Sequence, residues 1–214
     1  MGEVIIRKFN RDDREAVRKI AWETAYMGEP ASAFFDSEEI LSEFLIQYFT
    51  DYEPQSCFIA EAENRAVGYL IGTKDIRQLE GVFRDKIFKP LLRRAFSSGA
   101  FLKIKNLTFG FNCLISVLRR EFVMPDFSKD YPATLHINLE KYWRGQNIGS
   151  KLISAYLDYL SRERVRGVHL ATMSNRAAGF FSQRGFNLLH QANRSYFRYI
   201  LKKDIPIYVY GTKL

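Results

Sequence analysis

The residues predict an α/β protein, a β-sheet with helices packed on its faces. Three observations carry this. Short β-branched or apolar runs recur at 4–9, 57–63, 66–73, 134–139 and 168–172. Between them lie stretches with apolar residues at helical spacing, clearest at Ile148, Leu152, Ile153, Tyr156, Leu157 and Leu160. The order β-α-α-β-β, an insertion, then β-α-β-α-β-β mixes both types throughout, as a layered α/β sheet requires.

Taken in order, VIIRKF at 4–9 reads as a strand, and Asn10 is placed to cap the helix that follows, which runs to about Tyr26. Gly28-Glu29-Pro30 breaks that helix. A second begins near Ser37, with Ile40, Leu41, Phe44, Leu45, Tyr48 and Phe49 as its apolar stripe. The runs 57–63 and 66–73 form a hairpin across Asn64-Arg65. Residues 76–130 read as an insertion with its own helices. Pro90 marks a start or kink there, and 104–118 fits helix or strand equally. A strand at 134–139 leads through a polar, glycine-bearing loop into the strong helix from Ile148. Gly167 opens the next strand, and 176–184 is a short helix stopped by Gly185. Residues 186–189 and 196–201 read as a last strand pair, and the tail IPIYVYGTKL as an edge strand.

The chain has 214 residues, 47% of them hydrophobic and 26% charged, which excludes intrinsic disorder as the main state and suits one domain, 1–214, carrying the insertion 76–130. Two cysteines and three scattered histidines predict neither a disulfide framework nor a metal site. The first residues do not read as a secretory signal, and no apolar run approaches membrane-spanning length, so a cytoplasmic setting is expected. The net charge of +8 is local: residues 84–120 hold nine Lys/Arg and one acid, a surplus equal to the whole. That basic, aromatic-rich segment is read foremost as a lid with a solvated charged face; membrane contact is less favoured, and no nucleic-acid module supports that partner.

The informative stretch is 135–150. A strand ends, a short loop follows, and a helix begins, so exposed N–H groups and the helix dipole make an anion site suited to phosphate or pyrophosphate. Gly145 and Gly149 let backbone approach such an anion, and Arg144 and Lys151 add charge. On the loop alone, an ordinary strand–helix turn explains the pattern equally well.

Arg144-Gly145-Gln146-Asn147-Ile148-Gly149 resembles the Q/R-x-x-G-x-G/A pyrophosphate loop of the GNAT acetyltransferase superfamily, with Asn147 in place of the middle glycine. Asn is among the few residues tolerated at positive φ. Ser174 to Phe186, SNRAAGFFSQRGF, is similar to that superfamily's N-x-x-A-x-x-F-Y-x-x-x-G-F segment. The N-terminal half resembles a bacterial subgroup related to the acetyltransferase-like domain of O-GlcNAc hydrolases.

The resemblance implies a mixed, mostly antiparallel central sheet with helices on both faces, to which the helical insertion before the fourth strand is an addition. It implies acetyl-CoA bound between the fourth and fifth strands, and acetyl transfer to a primary amine of a small molecule or protein by direct attack. Cofactor contacts are expected from Ile137, Asn138, Leu139, Arg144, Gly145, Gln146, Asn147, Ile148, Gly149, Ser150, Asn175 and Phe181. His136 and Glu140 are the candidate general bases, and Tyr26 and Glu29 the candidate acceptor contacts. Phe181 stands where relatives carry a proton-donating Tyr, which opens a second reading: a catalytically weak acetyl-CoA-binding or regulatory module. A third is an anion- or membrane-associating protein working through the basic insertion. A monomer or homodimer is expected.

Overall fold

The computed structural model describes residues 3–214. Seven strands form one sheet: β1 (Ile5–Lys8), β2 (Phe58–Ala62), β3 (Arg65–Thr73), β4 (Ala133–Leu139), β5 (Gly167–Thr172), β6 (Asn187–Arg194) and β7 (Ile205–Lys213). Their order is β1-β2-β3-β4-β5-β7-β6, and every pairing is antiparallel except β4 with β5.

Helices cover both faces. α1 (Arg14–Thr24) and α2 (Glu38–Gln47) lie on one, where Val17, Ile20 and Ile46 bury against Ile59, Tyr69 and Ile71. Asn10 caps the turn that starts α1, as its position predicts: its side chain accepts from Asp12 N, and its own N–H donates to Asp13. α6 (Ile148–Arg162) lies on the other face, with Leu152, Ile153, Tyr156 and Leu160 buried on Phe58, Leu70 and Leu135. Gly72 makes room for the Tyr156 ring, since a Cβ there would stand 2.3 Å from the phenol oxygen. α7 (Asn175–Ser182) joins the same layer through Phe181 and Phe186.

The insertion is mainly helical from Ile76 to Leu118, which resolves 104–118 as helix, and 119–130 is turns and irregular chain. α3 (Ile76–Val82) runs through a wide i→i+5 stretch at Phe83–Phe88 into α4 (Lys89–Ser97). The wide stretch immediately precedes Pro90, which lacks the N–H that a regular turn would use and crowds the preceding carbonyl. After a left-handed Gly99 the chain turns back as α5 (Ile104–Leu118). The hairpin is held by Leu91, Ala95 and Ala100 against Ile40, and by Phe109 in an aromatic cluster with Phe34 and Phe197.

Two expectations at the C-terminus are corrected. Residues 196–201 are no strand but a turn into the short α8 (Arg198–Leu201), with Phe197 buried in the aromatic cluster. The tail is not an edge: β7 lies between β5 and β6, and β6 is the edge. Gly211 fits this inner position, because a Cβ would meet Leu189 at 2.6 Å.

Candidate active site

β4 and β5 pair only at Ala133↔Val168 and Thr134↔His169 and then diverge. On the other side β4 stays paired with β3 to its end, and Glu140 N donates to Val67 O at 2.9 Å. Antiparallel alternation therefore spends the backbone groups of residues 136, 138 and 140 on β3 and turns those of Leu135, Ile137 and Leu139 toward the gap. The gap opens into a cavity of about 760 Å³, a size suited to an organic ligand.

The loop 144–149 forms its mouth. Gly145 has φ +82° and Asn147 φ +60°, so Asn occupies the left-handed position its chemistry tolerates. Asn147 precedes α6 without a side-chain bond to the helix, which leaves the first-turn N–H groups to face the cavity wall. Gly149 packs under Phe180; a Cβ would stand 3.2 Å from that ring.

The cavity wall contains His136, Ile137, Asn138, Leu139, Arg144, Gly145, Asn147, Ile148, Gly149, Ser150, Phe181 and, at the rim, Glu29. Four expected residues are not part of it. Gln146 is half-buried, and its amide donates to Tyr142 O. Asn175 is exposed and accepts from the Tyr208 hydroxyl at 3.0 Å. Ser174 takes its place on the wall, because it is the residue that caps α7, accepting from Ala177 N. Tyr26 is packed on Phe34 and Phe197. Glu140 is paired with Arg65 at 2.7 Å and lines a smaller hollow of about 240 Å³ beside Glu23, Glu29 and Lys141.

Charge at the mouth is arranged differently from the sequence expectation. Arg144 is spent on structure: its Nε donates to Leu139 O at 3.0 Å and Nη2 to Gly28 O at 2.8 Å, tying the end of β4 to the turn after α1. Arg184, which sequence reasoning passed over, bonds Ser150 Oγ and, at 3.2 Å, Asn147 Oδ1, with its guanidinium over the Phe180 ring. It lies two residues beyond the end of α7, directly before Gly185-Phe186.

On the α1 side of β4, Asn138 Nδ2 donates to Tyr69 Oη at 2.9 Å, and His136 Nδ1 lies 3.4 Å from the same hydroxyl. Burial without a compensating anion pushes His136 down to about 4, so the imidazole is neutral at physiological pH. Phe181 is buried and packs on Phe180 and Phe186, with no hydroxyl to offer the cavity. Among the described residues the insertion contributes nothing to the cavity wall; the hairpin packs on α2 and on the aromatic cluster that holds Tyr26.

No family model matches the chain. Solved structures do. SsHAT superposes with a TM-score of 0.74 at 23% identity, covering 99% of this chain and 98% of that one. The polyamine N-acetyltransferase of Drosophila melanogaster gives 0.62 at 17% identity over 99% and 100%. The putative acetyltransferase yncA of Salmonella typhimurium, solved with acetyl-CoA, gives 0.57 at 12% identity over 99% and 94%. The chain therefore has the fold of the GNAT acetyltransferases: a mixed, mostly antiparallel sheet with helices on both faces.

Proposed function

We propose that the protein is an acetyl-CoA-dependent N-acetyltransferase acting on a primary amine of a small molecule or protein. One observation carries the reading: the gap where β4 leaves β5 ends at a left-handed, glycine-bearing loop that opens a helix, with Arg184 beside it. Unpaired first-turn N–H groups and a cation suit a pyrophosphate, and backbone N–H groups of Ile137 and Leu139 suit an acyl carbonyl. The neighbours support an amine acceptor, since they include polyamine and agmatine N-acetyltransferases and a NatC complex with a peptide and CoA.

Residues 137–139, Gly145, Asn147, Ile148, Gly149, Ser150, Ser174, Phe181 and Arg184 would hold the cofactor. When bound, it supplies an acetyl thioester, which a neutral amine converts to an amide and a thiol. His136, neutral down to about pH 4, is a hydrogen-bond acceptor for such an amine rather than a strong sink for its proton. Glu29 at the rim, already facing Lys141 at 3.0 Å, is the acid nearest an incoming cationic acceptor.

The test is a thermal shift. Acetyl-CoA at about a hundred times its Kd adds about 2.7 kcal/mol of stability, which raises Tm by several degrees. Gly149→Asp, which sets a carboxylate at the loop and crowds Phe180, should abolish the shift, while Gly149→Ala separates crowding from charge. A parent protein that shows no shift at millimolar acetyl-CoA would sink the cofactor assignment.

Phe181 favours a second reading, an acetyl-CoA-binding module with weak turnover. Phe181→Tyr decides between them. In a working enzyme short of an acid it raises turnover several-fold with binding unchanged. If no turnover appears in either form although acetyl-CoA binds, the module reading stands.

A further inference from the structure

We propose that the α3–α5 hairpin docks the protein on an anionic lipid surface. α5 turns its larger apolar stripe outward. Its inner face mixes polar Asn106 and Ser116 with Phe109, while Ile104, Leu107, Phe111, Leu114 and Leu118 stand on the outer face, with Phe111 64% and Leu118 76% exposed. This orientation is held by hydrogen bonds and by Phe109 on Phe34 and Phe197. Asn106 accepts from Asp36 N at 2.7 Å and donates to Ala100 O at 2.8 Å, and Ser116 lies 3.3 Å from Ser195. Rotating the helix to hide the apolar stripe would bury none of these bonds intact. A second stripe, Phe88, Leu92 and Phe96, is exposed along the other arm, and Phe96 meets Phe101 at the turn. Each arm thus presents an exposed apolar stripe of the kind that marks an interaction surface.

Charge selects the occupant. Residues 84–120 carry the whole surplus of +8. Among the described residues Lys89, Arg93 and Arg120 form no ion pair, and all three are exposed. A second copy of the same hairpin would bring this surplus against itself, whereas anionic headgroups complement it while the aromatic and aliphatic side chains enter the boundary below them. No helix among the described residues is long and apolar enough to cross a membrane, so the contact lies in the plane of the surface. Because the hairpin is not part of the cavity wall, docking leaves the cavity open.

The experiment is co-sedimentation with vesicles of phosphatidylserine and phosphatidylcholine, against vesicles of phosphatidylcholine alone, at low and physiological salt. Three proteins are compared: the parent, Phe111→Asp with Leu114→Gln, and Lys89→Glu with Arg93→Glu. All four positions are exposed, and Tm confirms that each variant folds. Expected is binding of the parent to the anionic vesicles at both salts, at least tenfold above the neutral ones, with at least a tenfold loss in each variant. A parent that stays in the supernatant would overturn the proposal. So would binding confined to low salt and indifferent to the apolar substitutions, which is screened attraction alone. A parent that is dimeric by light scattering, becomes monomeric in the Phe111/Leu114 variant and ignores vesicles would assign the patch to a second copy instead.

Discussion

α5 and α6 are both fifteen residues long and both amphipathic, yet they stand in opposite relation to the molecule. α6 turns Leu152, Ile153, Tyr156 and Leu160 onto the sheet and leaves charged residues outside. α5 turns Asn106, Ser116 and a single ring, Phe109, inward and its leucines and Phe111 outward. Helical spacing of apolar residues thus fixes that a stripe exists, and the partner decides whether it is buried. The sheet offers α6 a continuous apolar floor. The surface under α5 offers it the Asp36 amide, the Ala100 carbonyl and Ser195, which polar side chains satisfy better.

The sharpest way to break this contrast is truncation of one leucine in each helix. Leu152→Ala, at a fully buried site, should cost about 2–5 kcal/mol in urea unfolding. Leu114→Ala, at a site 55% exposed, should stay within about 0.5 kcal/mol. A comparable loss at Leu114 would mean that its stripe is covered in solution, by another copy or by a rearranged hairpin.

The same contrast explains what could be read from the residues alone. The hairpin 57–73, the helix at 148–162, β5 and the loop conformation at Asn147 were legible, because each rests on local spacing or on the φ preference of a single residue. Strand order was not. An alternating apolar tail says that a strand exists, and its pairing with both β5 and β6 shows that it lies inside the sheet, where Gly211 is crowded against Leu189. The segment 196–201 misled because Tyr196, Phe197 and Tyr199 are good strand formers that serve here as ring-packing residues in a turn. Around the cavity, most of the expected strand and loop positions do line the wall, while contacts set by side-chain reach were not legible. Arg184 arrives from a neighbouring helix, and the cap at Ser174 moves Asn175 out of the cavity.

Acid separates the two regions next. The three histidines, His136, His169 and His190, stand in β4, β5 and β6, and the insertion has none. Burial holds His136 at about 4 in the folded protein, below its unfolded value near 6.5. The unfolded chain therefore binds the extra proton first. The stability is fully present above pH 6.5 and drains as pH falls toward 4. His136→Gln should remove on the order of 2 kcal/mol from the stability difference between pH 7.5 and 4.5. An unchanged difference, measured by urea unfolding at the two pH values, would show that the ring is solvated in the folded state.

The smallest effect tests where the two regions ought to agree. Both helices end in the same way, with an arginine in the left-handed position after the cap: Arg120 at φ +57° after α5 and Arg164 at φ +57° after α6. In each, the amide beyond that arginine reaches back five residues, Glu121 N to Ser116 O at 2.9 Å and Val165 N to Leu160 O at 3.0 Å. An L side chain there costs about 1–2 kcal/mol that glycine avoids, and glycine returns part of it through its greater freedom when unfolded. Arg120→Gly and Arg164→Gly should therefore each stabilise by roughly 0.5 kcal/mol, a shift of one or two degrees in Tm. Equal gains would locate the difference between the helices in their faces and not in their backbones. A gain at Arg164 with a loss at Arg120 would mean that the end of α5 is held by the arginine side chain itself.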